Sequence, residues 1–211
     1  MRHYIKYSID NNNDNLIDYF SKMEKSYEFL NNESNLFEKN KDTAVSTYGY
    51  MTFEGIQKLL KKIKEHSINK KNLNFIDLGS GIGRVPVTLS KSKIFKKCIG
   101  VELSKHKHDI GLEILNENDL NDKIELINDN IFNYSKFKDI DCIYISSLCF
   151  TDKMMNNLLK IFLENLKENC LIFTSKQFNL DESNSRIHLL DTFDIEMSWA
   201  KSSKLYCYVI T

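Results

Sequence analysis

Apolar residues recur at two different periods along the chain, and the change between them outlines the fold. Leu16, Ile17, Phe20, Met23, Tyr27 and Leu30 return at helical spacing, which predicts an amphipathic helix over about 14–30. Phe53, Ile56, Leu59, Leu60 and Ile63 predict a second helix over about 52–66. The polar stretches 1–13 and 31–42 read as a tail and a connector. From residue 74 short apolar runs alternate with helical patterns. Strands are expected at NFIDLG (74–79), KCIGVE (97–102), KIELIN (123–128), DCIYIS (141–146) and CLIFTS (170–175). Helices are expected through VPVTLSKS, through HDIGLEILNEN and from Thr151 to Lys167. Pro86 falls in a first turn, and Thr151 serves as an N-cap. The end, DIEMSW (194–199) and LYCYVIT (205–211), reads as a closing antiparallel hairpin. This alternation predicts an α/β fold, a doubly wound, mostly parallel seven-stranded sheet with an antiparallel end.

The first of those strands runs into FIDLGSGIGR, and the chemistry of the chain starts there. In a doubly wound sheet, ligands bind beyond the carboxyl ends of the strands. Glycines at that point let the backbone turn tightly and approach a ligand. Gly79, Gly81 and Gly83 run G-x-G-x-G, not the G-x-G-x-x-G of a dinucleotide loop. Asp77 precedes the first glycine. A carboxylate there repels a pyrophosphate but suits the cationic amino group of S-adenosylmethionine. Glu102, at the end of the next strand, stands where a carboxylate grips ribose hydroxyls. Asp129, at the end of the third strand, is placed either for an adenine amino group or as a solvated loop acid.

Composition narrows the picture by exclusion. Lys+Arg and Asp+Glu are 29 each, so no global basic field recruits nucleic acid, and no strong intrinsic nucleic-acid binding is expected. The five cysteines are scattered without a CxxC pair, which points to a reducing compartment and to no metal site. His106 and His108, two apart on a predicted helix, face different directions. No apolar stretch reaches the length of a membrane span, so a soluble, intracellular protein without a membrane partner is expected.

Several stretches occur in a particular order: VSTYGYMTFEGIQKLL (45–60), FIDLGSGIGR, GVE (100–102), ISSLCF (145–150), TSKQF (174–178) and MSWAKSSKLYCYVIT (197–211). Together they resemble the catalytic domain of the disruptor-of-telomeric-silencing (Dot) family, protein lysine methyltransferases without a SET domain. The resemblance covers 44–211 and implies a class I methyltransferase domain there, with 1–43 as an N-terminal tail and helix. It implies S-adenosyl-L-methionine as cofactor and a protein lysine as substrate, with a core histone or nucleosome as the family's target.

Position by position, Tyr48 and Gly49 match the loop that covers the cofactor. Asp77, Leu78, Gly79, Ser80, Gly81, Gly83 and Arg84 match the methionine-side loop. Glu102 takes the ribose, and Asp129 with Asn130 flanks the adenine. Ser146 to Phe150 match the segment where the target lysine enters, and Tyr206 matches a tyrosine of the lysine channel. Ser146, Phe150 and Tyr206 are thus the catalytic candidates. Trp199 suits either core packing or that channel. The sequence departs from the family pattern at Tyr50 and Met51, where an acidic residue and a threonine are usual. It departs again at Ser146 and Ser147, where asparagines are usual, and at Arg84, commonly glutamine. It also lacks the long basic extension that holds family members on nucleosomal DNA. The resemblance implies a nuclear location if the substrate is chromatin and a cytoplasmic one otherwise. Two other functions fit the same loop: a class I methyltransferase acting on another protein, RNA or a small molecule, and an inactive scaffold that binds the cofactor. The ISSLCF segment lacks the (Asp/Asn)-Pro-Pro-aromatic motif typical of base amino-group methylation, which disfavours nucleobases.

Overall fold

The computed structural model describes Phe20 and residues 49–117, 122–181 and 185–211. The tail 1–13, the helix expected over 14–30 and the connector 31–42 otherwise lie outside the described residues.

Helix α1 (Phe53–His66) opens on Thr52, whose hydroxyl accepts the Gly55 amide at 3.1 Å, an N-cap within one residue of the predicted start. Then follow β1 (Leu73–Leu78), α2 (Arg84–Ser90), β2 (Phe95–Glu102), α3 (Lys105–Glu117), β3 (Ile124–Asn128), β4 (Cys142–Ile145), α4 (Asp152–Asn165), β5 (Leu171–Thr174), β6 (Ile187–Met197) and β7 (Ala200–Ile210). The seven strands form one sheet in the order β3-β2-β1-β4-β5-β7-β6. β1 to β5 are parallel, and β7 joins them antiparallel between β5 and β6. Pro86 is the third residue of α2, where its missing amide breaks no helical bond. Thr151 caps α4, accepting from the Met154 amide at 3.2 Å.

The alternation of side chains along β1 divides the site. Ile76 and Leu78 enter the main core, with Ile143 and Ile145 of β4 and Ile172 of β5. There α4 lays Met155, Leu158 and Phe162 on the sheet, within a chain of edge-on rings through Tyr134, Phe137, Phe162, Phe178 and Tyr208. Phe75 and Asp77 alternate with Ile76 and Leu78 and therefore face the other way. Tyr144, beside Asp77 in the parallel register, turns the same way. The cofactor candidate and the main core are on opposite faces of one sheet.

The terminal hairpin is longer than expected. β6 begins at Ile187, and irregularities between Leu189 and Asp191 and between Ile195 and Met197 break the two-residue period that marks a strand in sequence. Its tip also organises the residues before α1. Met51 bridges Met197, the Thr52 amide reaches the Glu196 carbonyl, and Tyr50 and Ser198 exchange bonds (Tyr50 N to Ser198 Oγ 3.1 Å, Ser198 N to the Tyr50 carbonyl 2.8 Å). α1 lies so close to β6 that a Cβ on Gly55 would stand 2.3 Å from the Glu196 carbonyl oxygen.

Candidate active site

At the carboxyl end of β1 the chain makes a bare-floored cradle. Gly79, Gly81 and Gly83 all have left-handed φ (91°, 56° and 85°), which favours glycine at each. They differ in what surrounds them. A Cβ on Gly79 or Gly81 would meet nothing within 4 Å, whereas one on Gly83 would press on Leu126. The first two glycines leave open space for a ligand, and the third seats α2 against β3. The pocket above the cradle is lined by Gly49, Tyr50, Met51, Asp77, Gly79, Ser80, Gly81, Ile82, Arg84, Val85, Tyr144, Ser146 and Met197.

Asp77 governs its electrostatics. Its carboxylate is almost fully buried, and its Oδ1 has no hydrogen-bond partner. Burial, and then the charge of Glu102, push its pKa well above the usual carboxylate range. A buried anion without a partner is costly. A cation in the pocket would reverse that cost. The amino group and sulfonium of S-adenosylmethionine supply that charge, and the vacant glycine floor supplies the room, so the residues present fit this cofactor. Tyr144 adds a buried hydroxyl beside Asp77. Burial and the Asp77 charge raise its pKa, so it stays protonated. Nothing in the apolar run DCIYIS marks Tyr144 except its place at a strand's carboxyl end, and sequence reasoning missed it. Half-buried Arg84 sets its guanidinium over the Tyr50 ring, 4.4 Å from the centroid.

The other expected cofactor residues divide into groups. Glu102 buttresses the loop, its Oε2 accepting from the Gly81 amide and its Oε1 from the Ser104 amide, both at 2.8 Å. Carboxylate lone pairs beyond these two bonds remain for a ribose. Asp129 follows β3, its amide bonded to the Glu102 carbonyl at 3.1 Å. Its Oδ1 accepts from the Asn130 amide, and Asn130 Oδ1 accepts from the Phe132 amide. Both hold the turn after β3 and, like Glu102, are not among the pocket's lining residues. The Leu78 side chain belongs to the main core, so only its backbone is available to a ligand. Gly49 lies under Trp199, where a Cβ would come within 2.1 Å of the indole. Trp199 itself is 45% exposed at the hairpin tip, which excludes plain core packing. Tyr48 lies outside the described residues.

The catalytic candidates separate. Ser146 lines the pocket, but Phe150 and Tyr206 do not, because both pack against the main core on the opposite face. Ser147 also turns to that face and closes a hydroxyl network. Thr174 Oγ1 donates to the Lys176 carbonyl at 2.8 Å, so the 2.6 Å contact between Ser147 and Thr174 has Ser147 as donor. Ser147 Oγ in turn accepts the Lys176 amide at 3.0 Å. Lys176 Nζ ties the segment's end by donating to the Phe150 carbonyl at 2.8 Å and pairing with Asp152 at 2.7 Å. Among the described residues no cluster of histidine, cysteine or acids could hold a metal. Nor, among the described residues, is any helix long and apolar enough to cross a membrane.

The model of the family described as "Histone methylation protein DOT1" matches residues 27–207. This chain belongs to the DOT1 family. The match starts upstream of residue 44, so it extends into the segment that the motifs alone left outside the resemblance. One curated relative, the histone-lysine N-methyltransferase of Drosophila melanogaster described as H3 lysine-79 specific, is 40% identical over 55 residues. Those residues are 26% of this chain and 3% of that protein, so the chain spans a small part of the relative it matches.

Solved structures agree on the fold. An RNA methyltransferase from Salinibacter ruber, in complex with S-adenosyl-L-homocysteine, superposes with a TM-score of 0.55 at 16% identity. It covers 73% of this chain and 91% of its own. The B. subtilis M1A22 tRNA methyltransferase gives a TM-score of 0.58 at 15% identity, covering 75% of this chain and 66% of that one. The chain therefore carries the fold of these class I methyltransferases, and the DOT1 family to which it belongs is S-adenosylmethionine-dependent.

Proposed function

We propose that this chain transfers a methyl group from S-adenosylmethionine to a lysine ε-amino group of a core histone. The observation that carries this reading is the buried, partnerless Asp77 carboxylate facing open space above Gly79 and Gly81. Family membership supports the choice of acceptor.

The cofactor supplies a methyl carbon activated by a positively charged sulfur. The protein's task is to hold its amino-acid end on Asp77 and Arg84 and its ribose on Glu102, and to bring a neutral amine into line. In-line displacement draws much of its rate from positioning. A lysine of ordinary pKa near 10.4 is almost wholly protonated at neutral pH and has no lone pair to attack with. Desolvation lowers that pKa. Ser146 lines the pocket and can accept a hydrogen bond from an incoming amine, while Phe150 and Tyr206 give the segment behind it apolar backing. An amine held there would take the methyl group as the carbon–sulfur bond broke with its electron pair left on sulfur, and the ammonium so formed would lose its proton to water. No general base is assigned. A chromatin substrate implies a nuclear location.

The test offers labelled S-adenosylmethionine with nucleosomes, free histones, total lysate protein and RNA. Label on a histone lysine is the expected result. Label confined to RNA, or to protein residues other than lysine, overturns the proposal.

A further inference from the structure

Tyr144 is a polar group of the cradle face that the transfer described above leaves unused. It lines the pocket together with Ser146, two residues further along, and stands beside Asp77 in the sheet. The two hydroxyls differ in their access to water. Tyr144 is 3% exposed and its oxygen is buried without a well-aligned partner, whereas Ser146 is half-buried. The hydroxyls of Ser146 and Ser175 lie close enough to favour the phenolate, but burial and then the Asp77 charge outweigh them and keep the phenol neutral. A neutral phenol accepts a hydrogen bond as well as donating one. Ser146 can turn to water when it lacks a partner. Tyr144 cannot, and a buried hydroxyl left unpaired carries its full desolvation cost.

Each methyl transfer exchanges one N–H of the lysine nitrogen for N–CH3. The nitrogen lone pair forms the new bond, the carbon–sulfur bond breaks with its electrons left on sulfur, and one proton leaves to water. A neutral unmodified lysine presents two N–H groups beside the attacking lone pair, one each for Ser146 and Tyr144. A monomethylated lysine presents one, and a dimethylated lysine none. Resting on the lysine reading above, we propose that the Tyr144 hydroxyl accepts an N–H of the target amine and thereby stops transfer at two methyl groups. The first transfer satisfies both hydroxyls. In the second, the methyl group already present faces Ser146, and the remaining N–H goes to Tyr144. In a third, the phenol would face a methyl group with neither a partner nor water. Tyr144 therefore determines product specificity, through a hydroxyl that phenylalanine would lack.

The experiment gives the full chain S-adenosylmethionine and core histones or nucleosomes that are unmodified, monomethylated or dimethylated at the lysine it labels, with products read by mass spectrometry. The wild type should methylate the monomethylated substrate about tenfold or more faster than the dimethylated one. Tyr144→Phe keeps the ring and should raise trimethyl-lysine relative to dimethyl-lysine by about tenfold. Ser146→Ala should slow the first transfer and leave the stop at two methyl groups in place. Calorimetric titration with S-adenosylmethionine should give Tyr144→Phe an affinity within about threefold of the wild type, which also certifies its fold. Trimethyl-lysine formed by the wild type as readily as dimethyl-lysine overturns this inference alone. So does an unchanged product ratio in Tyr144→Phe, or a loss of cofactor affinity there by about a hundredfold, which would make the hydroxyl a cofactor ligand. A wild-type chain that labels no lysine overturns the lysine reading and this inference with it.

Discussion

The two halves of the site lie on opposite faces of the same sheet and treat their polar groups in opposite ways. On the cradle face, Asp77 is buried with an oxygen unpaired, and Gly79 and Gly81 open on vacant space. On the other face, Ser147, Thr174 and Lys176 satisfy one another at 2.6 to 3.0 Å, and Lys176 ties down the Phe150 carbonyl. The first half keeps its bonding capacity for a ligand. The second spends that capacity on its own shape, which fixes a segment that can present a surface. A partnerless buried charge marks a place where something binds, and a closed network marks a place where something is held still.

That contrast can be broken from either side. Among substitutions that leave Asp77 in place, Gly81→Ala should have the largest effect. Its Cβ would enter the cradle and its backbone would sit in the left-handed region, so cofactor affinity should fall about tenfold or more while stability falls by about 1–2 kcal/mol, measured by titration and thermal melting. Affinity retained within error would mean that the floor of the cradle is not where the ligand lies.

Ser147→Ala works on the closed half. It removes the donor to Thr174 and the acceptor of the Lys176 amide inside a buried network, so a loss of about 1–3 kcal/mol is expected in denaturant unfolding. Cofactor affinity should stay within about twofold of the wild type. Parallel loss of cofactor binding would show that the two faces are not separable.

Lys176→Met should be milder. With the Phe150 carbonyl released, methyl transfer should slow by about two- to fivefold at unchanged cofactor affinity, a barrier increase of less than 1.4 kcal/mol. Unchanged turnover would make Lys176 a surface ion pair and nothing more.

The smallest effect belongs to neither half. The Lys62 hydrogen bond, against a smaller opposing effect of burial and with help from His66, holds the Asp191 carboxyl below the ordinary carboxylate value. A carboxyl depressed on folding contributes stability above its unfolded pKa and loses it as pH falls through the folded one. Hydrogen bonding to Asp191 raises Lys62, whose contribution therefore persists until pH rises through that elevated value. The pair ties α1 to β6 but is partly exposed, so Asp191→Asn should cost about 0.5 kcal/mol at neutral pH. The difference from wild type should vanish as pH falls through the depressed Asp191 value, as pH-dependent melting would show.

Much of this was legible in the chain. Strand positions were, because the buried strands β4 and β5 are continuous apolar runs and the glycines punctuate β1. Asp77 could be read because its chemistry conflicts with its surroundings: an acid at the end of an apolar strand needs a reason. The lower half of β6 could not, since two irregularities erase its alternation. The separation of Phe150 and Tyr206 from the pocket was also hidden. It depends on which face each strand residue takes, and the register that sets the faces comes from long-range pairing, Thr174 beside Tyr206 and Asp77 beside Tyr144. Leu78 illustrates the same point, sharing a motif with Asp77 and pointing away from it. The contact between Tyr50 and Arg84 joins residues 34 apart through the hairpin tip, and no local pattern announces it.

The central claim is that the Asp77 carboxylate is kept partnerless for a cationic cofactor, at a cost to the empty protein. Asp77→Asn tests it in one preparation, by titrating with S-adenosylmethionine and melting the cofactor-free chain. The account predicts opposite signs: binding lost by about a hundredfold or more, and cofactor-free stability raised by about 1–3 kcal/mol as an unsatisfied buried charge is removed. Cofactor affinity preserved in the variant would contradict it.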